Sequence, residues 1–184
     1  PPLSVVTTNA TAICESSSAP LSSTASGGNG NFTYSWSPAT GLSSSTISDP
    51  VASPLSTTSY TVTVTDNCGT PSANSVVTVS VEPQPVPLIS ANILSGCAPL
   101  CVSFTDTSLT TCSSATWSFG DGSDTTSCFN ATHCFNTAGT FTVTNVVTSA
   151  AGCIGSGTQT NYITVLPQPK PAFSYWPNPV VIVD

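Results

Sequence analysis

Trp117-Ser-Phe-Gly-Asp-Gly-Ser123, followed by Thr140-Phe-Thr-Val143, is the stretch that decides the fold of this chain. Trp117 and Phe119 alternate with Ser118, which puts both rings on one face of a strand. Gly120-Asp-Gly122 then breaks the strand into a tight turn, where glycine supplies the positive φ a hairpin needs. Ala138-Gly139 is a second turn signal, and Phe141 and Val143 resume the alternation.

Composition agrees along the whole length. The 184 residues are dominated by Thr, Ser and Val, hold no Met, and are punctuated by 16 Pro and 12 Gly, the usage of short strands and turns. Only 5% of residues are charged, against roughly 25% in an ordinary soluble domain. Lys170 stands alone against eight acids, for a net charge of −7. Nucleic acid and anionic membrane surfaces are therefore poor partners. No apolar run reaches the length of a membrane-spanning helix, so no membrane insertion is expected. No signal peptide is visible at Pro1, so the chain reads as a mature product or an excised piece. A surface solvated by hydroxyls and amides suits an extracellular location.

One phrase occurs twice. Val79-Ser-Val-Glu-Pro-Gln-Pro85 and Ile163-Thr-Val-Leu-Pro-Gln-Pro169 each place a last strand before Pro-Gln-Pro, 84 residues apart. That is the mark of tandem modules on short stiff linkers. The expected division is a sandwich over 1–82, a Pro-rich linker over 83–87 and a second sandwich over 88–166. Residues 167–184 then form a linker and the first strand of a further module. In the first module Phe32-Thr-Tyr-Ser-Trp36 alternates, with Trp36 as the central core residue, and Tyr60, Val62 and Val64 face inward. In the second, Val102 and Phe104 face inward. Asn145 stands where the Phe141-Val143 alternation wants an apolar residue. Either it is buried and hydrogen-bonded or a bulge turns it outward, and the bulge is favoured because Val146 and Val147 can then supply the core.

The string Trp117-x-Phe-Gly-Asp-Gly122 with Gly139-Thr-Phe-Thr-Val143 resembles the core of the PKD (polycystic kidney disease) domain, an immunoglobulin-like β-sandwich. Tyr34-x-Trp36-x-Pro38-Ala-Thr-Gly-Leu42, Asp49-Pro-Val-Ala-Ser-Pro54 and Thr58-Ser-Tyr-Thr-Val-Thr-Val-Thr-Asp66 are similar to an Ig-like repeat of very large Bacteroidota surface proteins, where it alternates with PKD modules. The resemblance implies an all-β fold of tandem immunoglobulin-like/PKD sandwiches, with Trp36, Trp117, Phe119 and Asp121 as the core motif. It further implies a surface protein of the type IX-secreted, gliding or adhesin kind.

Eight cysteines accompany a single histidine and form no C-x-x-C pair, so they read as four disulfides in an oxidising compartment rather than as zinc ligands. Cys14–Cys68 is the only choice within the first module. The PKD resemblance implies Cys97–Cys153. Cys101 and Cys134 should point outward from neighbouring strands, beside inward Val102 and Phe135, and can bond across them. Cys112 and Cys128 remain, flanking the Trp117 hairpin.

The remaining candidates have ordinary readings beside the sharp ones. The PKD resemblance implies a packing role for His133, and with one His there is no basis for a Ser-His-Asp triad. Asp121 and Asp124 raise a calcium reading, but Asp-Gly-Ser-Asp is not a calcium-loop spacing, and an Asp between glycines is turn chemistry. No cofactor is expected. Asn9, Asn31 and Asn130 begin N-glycan sequons, and Thr125 in Asp124-Thr-Thr126 resembles the O-glycosylation signal of Bacteroidota. Phe173, Tyr175 and Trp176 form a carbohydrate-stacking strip or the inward face of an incomplete strand. Val180, Val181, Ile182 and Val183 form a bare apolar strand, an aggregation hazard unless it is covered.

The expected role is a non-catalytic structural repeat of an extracellular filament or giant cell-surface adhesin, partnered by neighbouring copies or modules and by surface glycans. Residues 171–184 offer head-to-tail strand donation. The alternative is an accessory carbohydrate- or polymer-binding module of a secreted enzyme.

Overall fold

The computed structural model describes residues 1–8, 12–108 and 111–171. Every regular element in them is a strand. The first nine are β1 (Ser4–Thr7), β2 (Ile13–Cys14), β3 (Ala19–Pro20), β4 (Ser23–Ser26), β5 (Phe32–Ser37), β6 (Val51–Ala52), β7 (Thr58–Asp66), β8 (Ala73–Val79) and β9 (Val81–Glu82). Eight follow: β10 (Ile89–Ala91), β11 (Ser95–Cys97), β12 (Leu100–Asp106), β13 (Cys112–Ser118), β14 (Asp124–Thr126), β15 (Asn130–Phe135), β16 (Gly139–Ser149) and β17 (Ile154–Leu166).

The first core lies among β5-β7-β8 and the short pairs β1-β4, β2-β9 and β3-β6. Strict alternation in β7 sends Tyr60, Val62 and Val64 inward, each with no exposed surface. They meet Leu21, Trp36, Ala52, Val77 and Val79. The Trp36 indole keeps its N–H satisfied by donating to the Ile47 carbonyl at 2.8 Å.

The second core lies between the β10-β12-β15 sheet and the five-stranded β11-β17-β16-β13-β14 sheet. Trp117 and Phe119 are buried, as the Trp117-Ser-Phe alternation requires, and Phe104 packs on both with centroids 6.1 and 5.4 Å away. The Trp117 N–H donates to the Ser127 carbonyl at 2.9 Å, the same device as Trp36. Asp121 of the same motif stands on the exposed turn, where its carboxylate accepts the Ser123 backbone N–H at 3.1 Å.

Asn145 departs from the favoured outward bulge. It pairs with Trp117 across β13 and is fully buried, while Val146 faces out. The ladder irregularities fall elsewhere, between Cys112 and Ser114 and between Phe141 and Val143. Asn145 stays inside because a buried acceptor is waiting. Its Nδ2 donates to Oδ2 of Asp106 at 2.9 Å, and Asp106 Oδ1 accepts from the Leu88 and Ser108 amides. A buried amide N–H with a hydrogen-bond acceptor costs far less than one without.

Candidate functional site

Two places concentrate chemistry: the turn after Phe119 and the joint between the two sandwiches. At the turn, Gly120 has φ +79°, and a Cβ there would lie 2.5 Å from the Thr142 carbonyl oxygen. That close approach seats the hairpin against β16 and aims Asp121 at His133 on β15. His133 stacks on Phe119 at 4.3 Å and 6° and meets Phe135 edge-on at 4.6 Å. Its Nε2 lies 2.7 Å from Asp121 Oδ2 and 3.2 Å from Ser123 Oγ. Ser123 also donates its backbone N–H and its hydroxyl to Asp121 Oδ1. Burial acts to raise the Asp121 carboxyl, but the hydrogen bonds from Ser123 and His133 together outweigh it and hold the group below its ordinary value.

Asp, Ser and His are thus brought together, but not as a nucleophilic relay. In a relay the carboxylate holds one imidazole nitrogen while the serine uses the other. Here Asp121 and Ser123 share Nε2. The arrangement ties a turn to a neighbouring strand. Among the described residues no three His, Cys, Asp or Glu side chains cluster as metal ligands.

At the joint, Cys14 bonds to Cys153, with Cα atoms 5.5 Å apart and 139 residues between them in sequence. This replaces both Cys14–Cys68 and Cys97–Cys153. Cys14 pairs with Glu82 at the end of the first sandwich where β8 finishes, whereas Cys68 lies in the hairpin where β8 begins. The length of β8 separates them by about 20 Å at 3.3 Å per residue, far beyond disulfide reach. Cys97 and Cys153 are parted in the same way along β17, since Cys97 pairs with Leu166 at its far end. Cys101 bonds to Cys134, its register partner in the β12-β15 ladder, and Cys112 bonds to Cys128. The chain therefore has three disulfides and two exposed thiols, Cys68 and Cys97.

The linker is seated as well as tethered. A Cβ on Gly155 would lie 1.7 Å from the Pro85 carbonyl oxygen, and one on Gly157 would lie 2.4 Å from that of Pro87. Only hydrogen at these two strand positions lets the linker backbone lie on β17. Leu88, just beyond, is anchored to Asp106. The joint is the feature that sequence reasoning missed, although Gly155-Ser-Gly157 inside a strand pattern signals close backbone approach.

Other candidates are dispersed. Asn31 and Asn130 are exposed and Thr125 is half-buried on edge strand β14. Asn9, Phe173, Tyr175, Trp176, Val180, Val181, Ile182 and Val183 lie outside the described residues. A groove of about 550 Å³ in the first sandwich is lined by Pro38, Gly41, Pro54 and Leu55 and holds no ionisable side chain.

Residues 82–165 match the model of the PKD domain family. Among solved structures, the chain is similar to the PKD1 domain of the Vibrio cholerae metalloprotease PrtV, at 28% identity and TM-score 0.38, covering 45% of this chain and 96% of that one. The PKD1 domain of Vibrio anguillarum Epp matches at 24% identity and TM-score 0.38, with the same coverage. Three N-terminal domains of the bacteriophage RB49 capsid protein Hoc match over 90% of this chain and 59% of that one, at 16% identity and TM-score 0.44. No curated protein matches the chain in sequence. The fold is all-β, and the match to the PKD domain model falls on the second sandwich.

Proposed function

We propose that the chain is a structural, non-catalytic repeat segment of an extracellular filament or of a giant cell-surface adhesin. The observation that carries this reading is the Cys14–Cys153 bond across a linker already seated on Gly155 and Gly157. A module built to hold its neighbour in one orientation suits a spacer under load better than a tethered catalytic accessory, which needs freedom to search its substrate. Three disulfides on a sparsely charged chain suit an oxidising compartment outside the cell. The segment is assigned to a Bacteroidota surface protein decorated at Thr125, a reading supported by the Ig-like resemblance of the first sandwich and by the Asp124-Thr-Thr126 string.

Growth of the filament is assigned to strand donation by residues 171–184 into a neighbouring copy, a heterologous contact that propagates without closing. Electron microscopy of residues 1–184 beside a 1–169 truncation tests it. Filaments from the full chain alone support donation. Monodisperse particles from both, together with retention on insoluble polysaccharide lost in Trp176→Ala, would favour the binding-accessory role instead.

A further inference from the structure

We propose that Cys97 and Cys68 are the two halves of a head-to-tail disulfide between copies of this chain, repeating outside it the Cys14–Cys153 bond found within it. The inference deepens the filament reading and rests on it for the end-to-end encounter.

The argument is one of structural register. Cys14 on β2 pairs in parallel with Glu82, the residue before Pro83-Gln-Pro85. Cys97 on β11 pairs in parallel with Leu166, the residue before Pro167-Gln-Pro169. Cys97 thus occupies in the second sandwich the place Cys14 occupies in the first, beside the exit to the next linker. Cys153 lies in the β16-β17 hairpin and Cys68 in the β7-β8 hairpin, in each case the turn that precedes the last long strand of its sandwich, β17 and β8. Cys68 is also beside the chain entry. Asn29 donates to its sulfur at 3.1 Å, and neighbouring Gly28 donates to the Pro1 carbonyl at 3.1 Å.

Across the internal joint, the exit cysteine of one sandwich bonds the hairpin cysteine of the next. One unbonded cysteine of each kind remains. The exit type is at the end of the second sandwich and the hairpin type at the entry of the first, and both are exposed. Two copies set end to end bring these together as Cys14 and Cys153 are brought together inside the chain. A free thiol alone would say nothing. Here the bonded pair at the equivalent positions names the partner.

The chemistry balances with a low-molecular-weight disulfide such as oxidised glutathione as two-electron acceptor. The Cys97 thiolate attacks one acceptor sulfur, forming a mixed disulfide and releasing one thiol. The Cys68 thiolate of the second copy then displaces the other acceptor thiol, leaving the Cys97–Cys68 bond. Two protein thiols lose two electrons and two protons, and the acceptor ends as two thiols.

The test mixes Cys68→Ser with Cys97→Ser in a glutathione redox buffer, followed by non-reducing electrophoresis and mapping of linked peptides. The unmodified chain should give a ladder at multiples of 18.6 kDa that collapses on reduction, and each variant alone should lose the ladder. The mixture should stop at dimers linked Cys97 to Cys68. Homotypic dimers as abundant as mixed ones, or both thiols persisting in the oxidised unmodified chain, would overturn the proposal. Strand donation is scored separately. Filaments formed by the unmodified chain in reductant, with no ladder in oxidant, keep donation and remove the disulfide joint. A ladder without filaments does the reverse.

Discussion

Cys14 and Cys153, 139 residues apart in sequence, are bonded across the joint between the two sandwiches. Tension entering at the first residue and leaving through the last therefore runs along β1 and β2, through the disulfide, and along β17. Most of each core lies within the loop so closed, with Leu3, Ile13, Ile163 and Val165 outside it. Residues 1–14 and 153–184 alone can lengthen while the bond is intact, by no more than about 160 Å at roughly 3.4 Å per residue. Single-molecule force spectroscopy should show that limit for the oxidised chain and an extension of about 600 Å after full reduction. Long unfolding steps from the oxidised chain would contradict a load-bypassing bond.

Replacing Asn145 by Ala should destabilise the second sandwich by about 2–3 kcal/mol, because Asp106 loses a buried donor and a void opens. Asp106→Ala should cost more, since it strands Asn145 together with the Leu88 and Ser108 amides. Chemical denaturation followed by tryptophan fluorescence reads both. Equal midpoints for Asn145→Ala and the unmodified chain would mean the buried pair contributes nothing net.

Gly155→Ala and Gly157→Ala place a methyl group against the Pro85 and Pro87 carbonyls. The linker must lift from β17, at a cost of about 1–3 kcal/mol typical of overpacking. Small-angle scattering should report a less ordered joint, most clearly when Cys14 and Cys153 are also replaced by Ser. Unchanged scattering in that background would show that the linker is held by other contacts.

The turn is pH-sensitive in a defined direction. Asp121 titrates below the ordinary carboxylate value when folded. Its stabilising bonds to Ser123 and His133 are therefore complete above that ordinary value and are lost as pH falls through the depressed one. The His133 ring resonances in NMR should report the loosening on acidification, and Asp121→Asn should remove that transition. Persistence of the transition in the variant would assign it to another group.

Much of the fold was legible because strand burial has period two. Trp36, Tyr60, Val62, Trp117, Phe119 and Val143 each fall inside where alternation puts them. Cys101–Cys134 was legible for the same reason, since outward neighbours of Val102 and Phe135 face each other across a ladder. Asn145 was not, because what holds it inside is Asp106, 39 residues earlier on the opposite sheet. His133 was legible as a packing residue, but its pairing with Asp121 depended on where the hairpin lies against β15.

The sequence by itself determined the all-β fold and the alternating apolar faces of the long strands, since these follow from side-chain periodicity and turn chemistry acting over a few residues. Tertiary structure alone decided that Cys14 takes Cys153 and leaves Cys68 and Cys97 exposed as thiols. A disulfide forms between sulfurs that the fold brings within a few ångströms, and Cys14 and Cys68, like Cys97 and Cys153, lie at opposite ends of a strand.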